Sequence, residues 1–131
     1  AKKTFVNRVA NERKLIPFYV SANPENYNLD VEDRIQPPVE QWLRGFEDAE
    51  LVITDSFHAC VFSVIFHKPF IVLGNNKRGQ GRFLSLFDIV NLNGLILSDI
   101  NNYSDIYVNR LNNYKSLDRH RKLSLDILRK L

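Results

Sequence analysis

Apolar residues in this chain come in short bursts separated by polar, proline-bearing or glycine-bearing segments, and the spacing within each burst differs. Residues 3 to 13 place Phe5, Val6 and Val9 on one side of a short helix, and Pro17 then opens Phe18-Tyr19-Val20, which reads as a strand. From residue 21 to residue 37 no period persists. Pro24, Pro37 and several Asn and Ser residues mark a loop longer than most connections in compact domains. Pro37-Pro38 stands where proline is tolerated, at a helix start, and Val39, Trp42, Leu43 and Phe46 follow at i, i+3, i+4 and i+7. That spacing predicts one amphipathic helix.

The next run, Leu51-Val52-Ile53-Thr54, is short, apolar and β-branched, as in a parallel strand buried on both faces. Asp55 or Ser56 can cap the helix that follows, about residues 56 to 67, which is apolar on most sides and ends at Lys68-Pro69. Phe70-Ile71-Val72-Leu73 reads as a second buried strand, residues 74 to 81 as a polar glycine-containing loop, Arg82 to Ile89 as a helix, and Leu95-Ile96-Leu97 as a last short strand. The remainder is helical and polar.

Strands thus alternate with helices long enough for crossovers. The pattern predicts an α/β fold: a Rossmann-like open parallel sheet of about four or more strands with helices on both faces. Residues 1–131 form a single lobe in this reading, with residues 106–131 as a basic helical tail. Ligands of open α/β sheets bind beyond the carboxyl ends of the strands, so the loops after Val20, Thr54 and Leu73 are where chemistry is expected.

Composition narrows the function classes. At 131 residues and 44% hydrophobic content the chain can bury one core, and its 25% charged residues are ordinary for a globular protein. The single cysteine, Cys60, forbids an intrachain disulfide and points to a reducing, cytoplasmic setting. No apolar run approaches the ~20 residues that span a bilayer. The opening Ala1-Lys2-Lys3-Thr4 is unlike a secretory signal and reads as a cut within a longer protein, whose missing N-terminal lobe would carry half of any site.

Charge is uneven. Residues 106 to 131 hold seven Lys and Arg against Asp118 and Asp126, a local +5, which leaves −2 for the rest of a chain of net +3. Nucleic-acid binding wants a basic stripe interleaved with stacking aromatics, and Tyr107 and Tyr114 among scattered arginines do not supply one. The tail reads first as a solvated helix face, with Leu123, Ile127, Leu128 and Leu131 at helical spacing, and secondly as weakly attracted to anionic lipid headgroups at the inner face of a membrane.

Candidate chemistry gathers at Thr54-Asp55-Ser56-Phe57-His58-Ala59, a strand-to-helix turn where unpaired N–H groups and the helix dipole favour an anion. His58 lies in the first helical turn; Asp55 is either a plain cap or a catalytic, substrate-orienting group, and Ser56 is similarly divided. A serine-hydrolase reading fails, because the G-x-S-x-G glycines of a nucleophile elbow are missing. His58 and His67 cannot pair on a metal, since nine residues along a helix is about 900° and puts them on opposite faces. His67 and His120 read as solvated.

The loop Gly74 to Arg82 has the glycine spacing of a P-loop, but Gln80-Gly81 replaces the Lys and Ser or Thr that hold phosphate and magnesium. Its Asn75, Lys77, Arg78 and Arg82 nonetheless suit a phosphate or carboxylate, with Arg82 at a helix start the strongest of them. A phospho-receiver domain is excluded, because Lys68-Pro69 precedes a strand and no acidic pair ends the first one.

At Pro38-Val39-Glu40-Gln41-Trp42-Leu43, at Val52-Ile53-Thr54-Asp55-Ser56-Phe57-His58-Ala59-Cys60-Val61-Phe62-Ser63 and at Lys68-Pro69-Phe70-Ile71, the chain resembles the polysaccharide pyruvyl transferases. The resemblance spans residues 37 to about 95 and corresponds to that family's C-terminal lobe in a two-lobed, glycosyltransferase-B-type fold. It implies transfer of the enolpyruvyl group of phosphoenolpyruvate to two hydroxyls of a glycan or lipid-linked sugar acceptor, giving a pyruvate ketal of a bacterial surface polysaccharide, with no metal or cofactor. His58 matches the motif histidine and is expected to bind the donor and protonate its enol carbon. Some members carry arginine where this chain has Ser56, so the donor-binding arginine would be Arg82, Arg78 or one from the missing lobe. Two further readings stand beside it: a nucleotide-sugar-binding lobe of a glycosyltransferase, and a non-catalytic lobe that recognises a phosphorylated glycan.

Overall fold

Which segments become strands is decided by partners as much as by composition, and the computed structural model shows this at residues 18–20. It describes residues 2–20, 27–28, 30–74, 81–90, 96–104 and 115–130. The chain divides into two compact units, Ala1–Asp48 and Ala49–Leu131.

The first unit is helical. Helix α1 (Lys2–Arg13) buries Phe5, Val9 and Ala10. Its last turn closes by a Schellman arrangement in which the Leu15 N–H donates to the Ala10 carbonyl (2.8 Å) and the Lys14 N–H to that of Asn11 (3.3 Å). Lys14 takes the left-handed conformation (φ 56°) that this ending requires. A one-turn helix α2 (Val31–Arg34) lies within the segment expected to be loop. Helix α3 (Val39–Asp48) starts where the proline pair predicts, the Trp42 N–H donating to the Pro38 carbonyl at 3.0 Å. Phe46 is its buried residue, and the Trp42 ring packs edge-on against Phe46 at 4.7 Å. Val39, counted in the apolar stripe, is 67% exposed instead.

The expected strand Phe18-Tyr19-Val20 does not form. A strand needs a ladder neighbour, and among the described residues this unit contains none. Its aromatics find side-chain partners instead: the Tyr19 hydroxyl donates to Asn7 Oδ1 (2.9 Å), the Lys3 ammonium lies 5.7 Å from the Tyr19 ring centre, and the Phe18 ring approaches Gly45.

The second unit is α/β. Strands β1 (Val52–Thr54), β2 (Phe70–Leu73) and β3 (Ile96–Leu97) form a parallel sheet in the order β1-β2-β3. Helix α4 (Phe57–Ile65) connects the first two strands, and helix α5 (Gly81–Val90) lies between the second and third in sequence. The described sheet therefore has three strands where about four or more are expected; Leu95 lies outside the described residues. Central β2 is buried along its whole length, whereas β1, expected to be covered on both faces, is half-buried because it is an edge.

Register explains the core. Val52 pairs with Phe70, Thr54 with Val72 and Val72 with Ile96, so these residues share one face. Against that face pack Cys60 and Val64 of α4 and Phe83, Leu86 and Phe87 of α5, with the Phe70 and Phe87 rings 6.1 Å apart. Both helices thus lie on the same face, as two successive crossovers of one hand require. Ile71 and Leu73 point to the opposite face and are buried as well. Ser63 is tolerated in the core because its hydroxyl donates to the Ala59 carbonyl one turn back (2.7 Å).

Helix α4 ends as α1 does. The Lys68 N–H donates to Ser63 O (2.8 Å), the His67 N–H to Val64 O (3.1 Å), and His67 adopts φ 54°. His67 is exposed at that helix end, as expected. The chain finishes, after a 3₁₀ turn (Ile100–Asn102), with helix α6 (Lys115–Arg129), which contacts α5. Among the described residues no helix is long and apolar enough to cross a membrane.

Candidate functional site

The carboxyl edge of the sheet is formed by Thr54, Leu73 and Leu97. From Thr54 the chain enters α4 after only Asp55 and Ser56. The turn is fastened by the Thr54 hydroxyl, which accepts the Ser56 N–H at 3.0 Å. Ser56 is the N-cap residue, with extended backbone (φ −96°, ψ 129°), and its carbonyl accepts the Cys60 N–H (3.1 Å). Its side chain makes no capping bond. Ser56 thus caps α4 by position and not by its side chain, and the Thr54 hydroxyl orders the turn.

Asp55 is exposed just ahead of the cap, and its charge reaches the interior. Burial, first, and the Asp55 carboxylate, second, push the Cys60 thiol up to about 12. Cys60 is therefore a neutral core residue under the site floor.

His58, the second residue of α4, is exposed. Its ring lies 6.1 Å from that of Phe57 at an interplanar angle of 73°. Arg82 is the second residue of α5, also exposed, and its guanidinium carbon lies 5.4 Å from the centre of the same Phe57 ring. Phe83 meets Phe57 edge-on at 5.8 Å. The structure thus brings together two of the expected site residues, His58 and Arg82, each in the first turn of its helix and each against Phe57. Arginine over an aromatic face keeps its N–H edge free for an anion while the ring limits its motion.

Phe57 is the participant that sequence reasoning missed, counted there as one more apolar residue of α4. Its signal is position: an aromatic at the first residue of a helix sits at the rim instead of under the sheet. Asn75, Lys77 and Arg78 lie outside the described residues. Gly74, which opens their loop, is held tightly. Its N–H donates to Leu97 O (2.9 Å), and a β-carbon there would stand 3.1 Å from Ile96 Cγ2.

The site therefore offers two helix N-termini, an imidazole and a stacked guanidinium at one sheet edge. The chemistry of such a set suits a small, multiply charged anion and proton transfer to it.

The family profile of the polysaccharide pyruvyl transferases matches residues 4–77, more than half of the chain. The chain belongs to the polysaccharide pyruvyl transferase family. Its membership identifies it with transferases of polysaccharide biosynthesis. The match begins earlier than the resemblance at residue 37, in α1, and covers β1, α4 and β2; Arg82 lies beyond its end. No curated protein and no solved structure matches the chain.

Proposed function

We propose that this chain is the donor-binding lobe of a pyruvyl transferase and seats phosphoenolpyruvate at the carboxyl edge of its sheet. The observation that carries the reading is the meeting of His58 and Arg82 on Phe57. Phosphoenolpyruvate presents a carboxylate and a phosphate ester on the same enol carbon. Arg82 takes one of them through its planar fork, and backbone N–H groups at the start of α4 take the other.

His58, as imidazolium, gives its proton to the methylene carbon of the enol. This places positive charge on the neighbouring carbon, which a sugar hydroxyl attacks. The C–O bond to phosphate then breaks with its electron pair, and a second hydroxyl closes the ketal. Of the two hydroxyl protons, one restores the imidazolium and the other leaves with phosphate, so the sum is one ketal and one inorganic phosphate. Asp55, beside the cap, orients the acceptor hydroxyl. A second lobe, as in glycosyltransferase-B-type folds, completes the cleft and holds the glycan or lipid-linked acceptor; by this reading the single lobe does not turn over.

The test is ketal formation by the full-length enzyme. His58→Ala lowers turnover by ~10²- to 10⁴-fold, the usual contribution of a general acid, and leaves the thermal midpoint in place because the side chain is exposed. Turnover at the wild-type rate overturns the assignment. Thermal protection by UDP- or GDP-sugars, with none from phosphoenolpyruvate, would transfer the site to a glycosyltransferase.

A further inference from the structure

Helix α6 lies outside the part of the chain that matches the family and has no share in the site described above. Although it touches α5, its apolar residues are not covered: Leu123 is 54% exposed, Ile127 62% and Leu128 63%. At helical spacing these three fall within an arc of about 140° that also holds the positions of Ser116, Leu117, His120 and Ser124. Arg119, Arg121, Lys122, Arg129 and Lys130 lie on the opposite arc with Asp118, Asp126 and the apolar Leu125 (44% exposed), and the Arg129 guanidinium reaches Asp126 at 3.9 Å.

An exposed apolar stripe beside a predominantly basic arc needs an occupant. Residues 115–130 hold six Lys and Arg against two Asp, a net +4, which leaves the rest of the chain at −1. Two copies of this helix laid stripe to stripe would bring +4 against +4. The stripe also covers fewer than the three to four heptads that a paired helix seam sustains. An anionic bilayer reverses the sign of that interaction. Its acyl boundary takes up the stripe while its headgroups attract the basic arc, the arrangement of helices that lie in a membrane interface.

We propose that α6 is an interfacial helix that docks this protein on an anionic membrane surface, with Leu123, Ile127 and Leu128 inserted and the basic arc among the headgroups. Such docking would hold the transferase beside acceptors that are themselves membrane-linked.

Co-sedimentation of the full chain with vesicles tests this. It is expected to bind vesicles of roughly 3:1 phosphatidylcholine to phosphatidylglycerol, to ignore pure phosphatidylcholine, and to release as NaCl rises to about 0.5 M. Ile127→Ser with Leu128→Ser weakens binding about tenfold or more, and Lys122→Glu with Lys130→Glu does likewise. All four side chains are exposed, so the thermal midpoint stays in place and the loss reports the surface alone. Wild-type protein remaining in the supernatant overturns the proposal, and so does binding that the apolar double variant retains. A dimer that the same double variant converts to monomer assigns the stripe to a second copy instead.

Discussion

Phe57→Leu is the substitution that separates a held arginine from a merely nearby one. The wild-type ring touches the Arg82 guanidinium (5.4 Å) and the Phe83 ring (5.8 Å), and leucine keeps apolar bulk while removing the π face. At an exposed site the cation–π contact contributes about 0.5–1 kcal/mol, and the edge-on pair about 0.5–1.5 kcal/mol. Released from the ring, Arg82 regains rotamer freedom that an anion must remove again, at about 0.5–1.5 kcal/mol, so affinity falls roughly two- to tenfold. Arg82→Ala removes the charge-assisted bonds themselves, about 1.5–3 kcal/mol, and falls roughly ten- to hundredfold. Phe57→Tyr keeps the ring and should bind as wild type. Calorimetric titration with phosphoenolpyruvate and with inorganic phosphate at low ionic strength measures all three variants, and thermal unfolding confirms that each is folded. If Phe57→Leu binds like wild type while Arg82→Ala does not, the ring plays no part in presenting the arginine.

Two further outcomes follow from the same sheet edge. Gly74→Ala must push Ile96 Cγ2 (3.1 Å), Leu97 O and Ser98 Cα (both 3.4 Å) outward and should lower stability by about 1–2 kcal/mol, whereas Gly81→Ala meets nothing within 4 Å and should be neutral or stabilising; denaturant midpoints of the pair check this. Cys60 supplies a pH dependence: its folded thiol titrates at about 12 against an ordinary 9.0, so between those values the unfolded chain holds fewer protons and stability falls as pH rises. From pH 8 to pH 10 wild type should lose about 1.4 kcal/mol more than Cys60→Ala in denaturant titrations, and an equal loss in both would remove the thiol as the cause.

Periodicity made most elements legible: α1, α3, α4, β2 and α5 lie within a residue or two of where apolar spacing puts them. The misreadings have physical causes. Phe18-Tyr19-Val20 has strand composition, but composition cannot supply a ladder neighbour, and its rings pack on helices instead. The helix ends at Lys14 and His67 carry no glycine to announce their left-handed turns, so their exact endings were not readable. The positions of His58 and Arg82 at helix starts beyond the sheet were legible because strand-to-helix turns in a parallel sheet converge on one edge. Phe57 was not, since apolar spacing alone does not separate a rim aromatic from a core one and only its place at the first residue of α4 does.

The two halves of that site are held by different means, and this decides how each responds to change. Only Asp55 and Ser56 separate β1 from α4, and the Thr54 hydroxyl fastens even that short turn, so His58 is placed by covalent geometry. Arg82 follows a longer connection, residues 74–80, which by length alone would leave its position loosely specified. What restores precision is packing: Phe83 and Phe87 of α5 join the core around Phe70 and Val72, and Phe57 reaches across to Arg82. Changes of length between Gly74 and Gly81 should therefore be tolerated so long as that aromatic contact survives, whereas a change of length between Thr54 and Phe57 would move the imidazole itself. On the proposed mechanism, the short turn would set where the proton is delivered and the aromatic seam whether the anion is held within its reach.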